Sequence, residues 1–405
     1  MNVLQNYRYW LLNPVTLYGA IFGTYLLPPT ITALFFQDYS FLFLQGSWDS
    51  QTVIKGLVIF LVSLLSFYFG YSLSSFVPQK AFLPTINYKK TAAIAKVVFL
   101  PFLFIAITLI GGTYFTSKYL AGADPESFVN MDTNTRFGVA VLYFTVETFI
   151  AFLIISDWNY RKKIRLKTLL LIMIGFLLVL QNMKRLEMIT PVMASLAFIY
   201  TDKKKTLHVP LLAAFSVVII ASFMGTIRAA GDVGVGSLLS FVLEANFVTN
   251  SYYKVIQLIH ESGYPYTFGI ELLAIPFAIV PGVLLPQKHS MIDVGQYWAN
   301  RVEISPQGAY YGLAHLYRYG GIYSVTILSI ILGFMLGRCY RYFLNSYDGK
   351  QFNSIFYPVM IFPFLFHYVR DDIVVAIKIS LQLGIILYIF CLMWRFFNIV
   401  SNSSK

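Results

Sequence analysis

Charged residues are scarce in this chain. Only 12% of its 405 residues are Asp, Glu, Lys or Arg, whereas 58% are hydrophobic. Soluble domains carry roughly 25% charged residues and about 45–50% apolar ones. A water-soluble fold has too little interior to bury this much apolar surface, so the composition excludes an ordinary soluble protein. It favours a protein whose outer surface lies in a lipid bilayer.

Cysteine and histidine are also sparse. The two cysteines and five scattered histidines exclude a disulfide framework and a Cys/His zinc cluster. The sequence contains no Walker loop and no HExxH motif, so an ATP-driven pump and a zinc peptidase are not expected. Asp371 and Asp372 are adjacent carboxylates, but Arg370 beside them makes an ion pair the simpler interpretation. We therefore expect no metal and no cofactor.

Long apolar runs make up most of the sequence. Crossing a bilayer takes roughly 20 apolar residues. The first run lacks a small-residue cleavage site and is interpreted as a retained helix rather than a signal peptide. The pattern predicts about ten membrane-spanning helices in an all-α polytopic protein, at 14–36, 53–76, 93–112, 137–156, 168–183, 188–201, 207–226, 313–337, 353–369 and 373–394.

Lysine and arginine sort the loops between these runs into two sets. One set is short and basic, and the positive-inside rule places it in the cytoplasm. The other set, 37–52, 113–136 and 227–312, is longer and less basic. An even number of spans then puts both termini in the cytoplasm. The formal charge of +12 is explained by the basic loops, so we expect no nucleic-acid partner.

The segment 227–312 departs from a plain helix bundle. Its apolar stretches, 238–259 and 268–285, are either two further spans, which would raise the count to twelve, or helices at the outer surface. Pro276 and Pro281 favour re-entrant or interfacial helices for the second stretch. We expect one membrane domain over 1–405, with 227–312 as a large periplasmic loop.

A second group of cations falls on the outer side, where the positive-inside rule disfavours them. A cation recessed into the membrane costs about 2–3 kcal/mol unless it is paired or hydrated. Pairing of Arg370 and Lys378 with Asp371 and Asp372 is one explanation. The convergence of ten cations favours an anionic ligand, most simply a phosphate-bearing lipid head group. The group comprises Arg136, Lys184, Arg185, Arg228, Lys254, Lys288, Arg301, Arg318, Arg370 and Lys378.

The stretch 275–321 is rich in aromatic residues and proline, with interspersed polar side chains. Aromatic faces beside polar donors suit sugar rings. It contains PQK at 286–288 and AHLYRYGG at 314–321, the latter at the start of a span. With the span pattern and the arginines at outer helix ends, these motifs make the chain resemble bacterial oligosaccharide repeat-unit polymerases of the O-antigen polymerase (Wzy) class. His315 stands where that family often has an acid, and His289 rather than proline follows the lysine.

The resemblance implies a GT-C-like glycosyltransferase in the bacterial inner membrane, with its active site facing the periplasm. Such an enzyme moves a glycan from undecaprenyl diphosphate onto the next lipid-linked repeat unit. Its partners would be the lipid-linked donor and acceptor, the membrane lipid and a chain-length regulator protein. Because diphosphate is a good leaving group, arginines would stabilise its charge in place of a metal.

The chemistry of the residues and the resemblance together predict the site residues. His315 is the first choice as the base that activates the acceptor hydroxyl, since an imidazole ordinarily titrates near pH 6.5. Asp293 and Glu303 are the alternatives. Contacts to the diphosphate or the glycan are assigned to Arg185, Arg228, Lys288, Tyr317, Arg318 and Arg370.

Two other functions remain open at this point. An O-antigen ligase would use the same donor but a lipid A core acceptor. A flippase or transporter for lipid-linked sugars would show charges near the middle of the bilayer and inverted repeats. The cations of this chain collect at one face and no repeat is visible, so the sequence favours the polymerase.

Overall fold

The fold was analysed in a computed structural model. The structure describes residues 11–35, 48–77, 100, 146, 149–158, 161–180, 191–199, 236–276, 280, 304, 310–348, 356–371 and 373–403. This part of the chain is all-helical and contains no β-strand. The helical class expected from the apolar pattern is therefore confirmed for these residues.

The long helices follow the apolar runs of the sequence. Shorter helices lie at Phe149–Trp158 and 191–199, and two 3-10 turns at Ser74–Phe76 and Ile270–Ala274. The long helices are α1 (Pro14–Phe35), α2 (Ser50–Leu73), α3 (Leu166–Leu180), α4 (Gly236–His260), α5 (Gly312–Asp348), α6 (Phe356–Arg370) and α7 (Ile373–Ser403).

Two helices in the described ranges, Ser50–Phe76 and Gly312–Asn345, are long and apolar enough to cross a membrane. The total of about ten spans and the GT-C-like arrangement stay predictions. Of the predicted spans, 207–226 lies outside the described residues, and so does 93–112 apart from Leu100.

The two helices that are long enough to cross a membrane, α2 and α5, run parallel and pack through small residues. The Ser63 and Ser329 hydroxyls are hydrogen-bonded at 2.8 Å. A methyl group built on Gly70 would collide with the Ile330 carbonyl, and one built on Gly333 with the Phe67 carbonyl. Lipid offers helices no hydrophobic gain from pairing, so close backbone approach and hydrogen bonds between helices hold such a pair together.

Helix α1 runs antiparallel to α2 and carries much of the aromatic core. The Tyr18 ring stacks on Phe67 at 4.3 Å between centroids, and its hydroxyl bonds to Ser63 at 2.6 Å. Nearer the start of α1, the Asn13 amide donates to the Tyr71 hydroxyl at 3.2 Å. Because the tyrosine hydroxyls find partners, these rings can be buried at little polar cost.

Helix α4 lies lengthwise along α1 and runs in the same direction. The Thr249 hydroxyl donates to the carbonyl of Tyr25 at 2.6 Å, and the Thr30 and Tyr253 hydroxyls are bonded at 2.5 Å. The apolar stretch predicted at 238–259 is thus a helix packed along the bundle. Of the stretch predicted at 268–285, the described residues contain the 3-10 turn Ile270–Ala274, which follows Gly269 with its left-handed φ of 69°, and helical residues at 275–276. The assignment of 227–312 to the periplasm stays a prediction.

Helix α6 shares the direction of α1, which defines two ends of the bundle. At one end, the Tyr357 hydroxyl donates to the carbonyl of Leu12 at 2.8 Å, and the Arg338 guanidinium donates to the carbonyl of Val77 at 2.7 Å. We call this the basic end. Helix α5 runs without a break from Ile322 to Arg338, a rise of 16 residues or about 24 Å at 1.5 Å per residue. This length is close to the roughly 30 Å hydrocarbon core of a bilayer.

Candidate functional site

The sequence AHLYRYGG at 314–321 forms the first two turns of α5 and a break that follows them. Gly320 and Gly321 leave helical geometry, and Gly321 has a left-handed φ of 63° that favours glycine. A methyl group built on Gly321 would lie only 2.9 Å from the Tyr266 hydroxyl. The Ser324 hydroxyl bridges the break by donating to the carbonyls of Leu316 and Gly321. The break therefore allows the first turns of α5 to take their own direction.

Tyr310, just before α5, is the point at which three predicted site residues meet. Its backbone N–H donates to the carbonyl of Arg370, the last residue of α6, at 2.7 Å. Its ring centroid lies 4.0 Å from that of His315 and 5.6 Å from the guanidinium carbon of Arg318. We call Tyr310, His315, Arg318 and Arg370 the Tyr310 junction. It lies at the opposite end of the bundle from Arg338.

His315 is enclosed within this junction. Its side chain is buried, and its Nδ1 lies 3.4 Å from a terminal nitrogen of Arg318. A guanidinium has only donors, so Nδ1 is the acceptor and the proton of the neutral ring sits on Nε2. A second proton on Nδ1 would point at a donor, which makes His315 a poor proton acceptor at that nitrogen.

His260 and Tyr317 form a second polar pair at the same end of the bundle. His260 is the exposed last residue of α4, and its Nε2 lies 2.7 Å from the hydroxyl of buried Tyr317. The Tyr317 hydroxyl also bonds to Tyr266. Partial burial, and then the positive charge of Lys55, lower the pKa of His260. At neutral pH its ring is therefore uncharged and able to take up a proton.

The connection between α4 and α5 is held against this region. The backbone N–H of Thr267 donates to the carbonyl of Arg318 at 3.0 Å. Arg318 thus contacts the connection through its backbone while its guanidinium carbon lies near the Tyr310 ring. The first contact holds the backbone of Arg318 against the connection, and the second holds its guanidinium beside the Tyr310 ring.

The C-terminal end of α6 carries an acid–base pair that the sequence did not suggest. The Asp371 carboxylate lies 3.0 Å from Nδ1 of His367, one helical turn earlier. The pairing of Arg370 and Lys378 with Asp371 and Asp372 stays a prediction. Among the residues described here, no group of three His, Cys, Asp or Glu side chains is placed to hold a metal ion.

Four of the nine predicted site residues are described, and they lie together. Tyr317, Arg318 and His315 occupy the first turns of α5, and Arg370 ends α6 beside them. Sequence reasoning missed Tyr310, His260 and Tyr266, because no motif marks them and their contacts join distant parts of the chain. The other five predicted site residues lie outside the described residues, and their roles stay predictions: Arg185, Arg228, Lys288, Asp293 and Glu303.

Comparison with protein-family models, with curated proteins and with solved structures gives no match to this chain.

Proposed function

We propose that this chain is a bacterial inner-membrane glycosyltransferase that polymerises undecaprenyl-diphosphate-linked repeat units at the periplasmic face. The observation that carries the proposal is the Tyr310 junction. It brings Arg318 and the end of α6, which carries Arg370, together at the end of an apolar helix bundle opposite the arginines of the basic end. Cations at the end of such a bundle suit an anionic lipid head group at the membrane boundary.

The outer surface of the two spanning helices supports insertion into a bilayer. Leu65 on α2 and Ile327 on α5 expose 68% and 58% of their surface. Other large apolar side chains are exposed on the same helices, among them Leu61, Phe69 and Ile331. A continuous apolar surface of this kind is unfavourable in water and favourable against lipid tails.

The proposed reaction exchanges one bond at the anomeric carbon of the donor glycan. The hydroxyl oxygen of the acceptor sugar forms a bond to that carbon, and the bond from the carbon to the diphosphate oxygen breaks. The electron pair leaves with undecaprenyl diphosphate, and the hydroxyl proton passes to a base. Arg318 and Arg370 stabilise the charge that grows on the diphosphate, which is the role expected of fixed cations at a developing anion.

The surroundings of Arg318 suit this role. Its side chain is part-buried, lies near the Tyr310 ring and belongs to a helix whose start is tied to α6. A positioned guanidinium loses little conformational entropy when it binds an anion, and its planar donors match phosphate oxygens.

The test is a reconstituted assay with the full-length chain in lipid vesicles and a defined undecaprenyl-diphosphate-linked repeat unit. We expect a ladder of longer glycans on a gel and release of undecaprenyl diphosphate. The variant Arg318→Ala should lose the ladder, and Arg338→Ala, a matched change at the basic end, should keep it.

Three results would overturn the proposal in favour of another function. Single transfer to a lipid A core acceptor without a ladder would indicate a ligase. Movement of labelled donor across the bilayer without its consumption would indicate a transporter. Failure of the wild-type chain to consume the donor would exclude glycosyl transfer from this lipid.

A further inference from the structure

We propose that His260 is the base that takes the proton from the acceptor hydroxyl, and that Tyr317 positions its ring for this step. This inference rests on the proposed function. It concerns a pair of residues that join the end of α4 to the start of α5, 2.7 Å apart between Nε2 and the hydroxyl oxygen.

The Tyr317 hydroxyl has two partners, Tyr266 and Nε2 of His260. A phenol has one proton to donate. We assign that proton to the bond with Tyr266, which leaves a lone pair on the Tyr317 oxygen for the Nε2–H of His260. The neutral ring then carries its proton on Nε2 and presents Nδ1, on the other side of the ring, as the acceptor. In histidine bases, the hydrogen bond made by one ring nitrogen usually decides whether the other nitrogen carries a proton.

The two histidines differ in access. His260 is exposed, whereas His315 is only 6% exposed and turns its Nδ1 towards a guanidinium. A base must reach the hydroxyl of a bound sugar within about 2.6–3.2 Å. An exposed ring at the end of α4 is open to such a hydroxyl without rearrangement of the Tyr310 junction.

The charge around the ring also favours its neutral form. Lys55 of α2 contributes positive charge at His260, and Tyr317 of α5 and Tyr266 of the connection between α4 and α5 are titratable neighbours among the described residues. Lys254 lies six residues earlier on α4, and the carboxylate of Glu261, the next residue after His260, accepts a hydrogen bond from Gln257 at 2.8 Å. Burial and Lys55 both lower the pKa of His260, so the ring is neutral above the ordinary histidine value of 6.5.

The pair is also well placed relative to the arginines. Tyr317 directly precedes Arg318 in α5, so the residue that positions the base and the residue that binds the diphosphate are carried by the same helical segment. In the proposed step, Nδ1 of His260 gains the hydroxyl proton and becomes an imidazolium as the diphosphate leaves. The new positive charge is retained beside the departing anion, and the Tyr317 oxygen continues to accept from Nε2–H.

The experiment measures kcat and KM against pH for the full-length chain in vesicles, with the lipid-linked repeat unit. Because the pKa of His260 is lowered, wild type should keep its rate at the ordinary histidine value of about 6.5 and lose it only at lower pH, where the base becomes protonated. His260→Gln should lower kcat about 100-fold or more, leave KM within about threefold, and abolish this acid limb. Tyr317→Phe should lower kcat by a smaller factor than His260→Gln does, and it should move the acid limb to a different pH. Glu261→Gln, a matched exposed neighbour, should keep both the rate and the limb.

A second measurement follows the His260 ring directly. In protein labelled at its histidine rings, one ring resonance should titrate with pH in the wild type and be absent from His260→Gln. In Tyr317→Phe the midpoint of that titration should move. A titration that Tyr317→Phe leaves unmoved would overturn the pairing. Circular dichroism and size exclusion confirm that each variant is folded.

The outcomes separate the two proposals. If wild type polymerises and Arg318→Ala does not, yet His260→Gln keeps the wild-type rate and acid limb, the His260 assignment is wrong and the proposed function stands. If wild type does not consume the donor, the proposed function fails and this assignment fails with it.

Discussion

The carbonyl oxygen of Arg370 accepts a hydrogen bond from the backbone N–H of Tyr310 at 2.7 Å. The carbonyls in the last turn of a helix have no partner within the helix, and this bond satisfies the one that ends α6. It also fixes the end of α6 against the residue that precedes α5. As a result, two arginines that are 52 residues apart in the chain, Arg318 and Arg370, lie at the same end of the bundle.

Replacement of either arginine should abolish polymerisation without preventing insertion. Arg318→Ala and Arg370→Ala remove the positive charge proposed to stabilise the leaving diphosphate, so we expect the rate to fall about 100-fold or more. Arg318→Lys keeps the charge but loses the planar donors, and it should recover only part of the rate. The measurement is glycan chain length in cells that produce each variant, with membrane content of the protein as the control. Normal long chains in both alanine variants would remove the basis of the proposed function.

The reaction should proceed in excess chelator. We expect the arginines to supply the positive charge that a divalent ion supplies in many enzymes acting on diphosphates. The assay compares the rate of donor consumption in EDTA with the rate in Mg²⁺. A strict requirement for Mg²⁺ would contradict the prediction and would direct attention to Asp371 and Asp372, of which Asp371 now has His367 as a partner.

Gly333→Ala should loosen the contact between α2 and α5. The added methyl group meets the Phe67 carbonyl, which is backbone and cannot move aside as a side-chain end can. Overpacking of this kind costs about 1–3 kcal/mol, so the variant should show a lower Tm in detergent. Gly23→Ala on α1 is the matched control, because its methyl group would approach nothing nearer than the Leu27 Cδ1 at 3.7 Å. Equal Tm values for the two variants would show that α2 and α5 do not depend on this contact.

Asp49 should make the start of α2 sensitive to acid. Its carboxylate accepts from the backbone N–H of Thr52 at 3.1 Å, and bonding to the Thr52 side chain is the main cause that lowers the pKa of Asp49 below the usual 3.8. A lowered pKa means that the folded state favours the charged form. The stabilisation is therefore present above about pH 4 and is lost as the pH falls through the folded value.

Thermal unfolding of Asp49 variants checks this cap. Asp49→Ala should cost about 0.5–2 kcal/mol at pH 7, and its difference from wild type should shrink below about pH 4. Asp49→Asn retains an oxygen acceptor, so it should keep most of the stability and lack the acid dependence. An alanine variant as stable as wild type at pH 7 would contradict the capping role.

The sequence alone determined that the chain is helical and where several helices lie. The predicted span at 313–337 begins one residue from the observed start of α5, and the predicted spans at 14–36 and 373–394 begin where α1 and α7 begin. These starting points are local, because the start of an apolar run favours the start of a helix whatever its neighbours are. The ends differ: α5 and α7 continue to Asp348 and Ser403, beyond the predicted ends at 337 and 394.

Only the tertiary structure decided which helices meet and which side chains form the candidate site. A helix that is apolar on all sides carries no amphipathic stripe, so its sequence does not tell which face contacts which neighbour. The parallel pairing of α2 with α5 through Gly70 and Gly333 could not be predicted for that reason. The contact of His260 with Tyr317 spans 57 positions in the chain, and it exists only because α4 ends beside the start of α5.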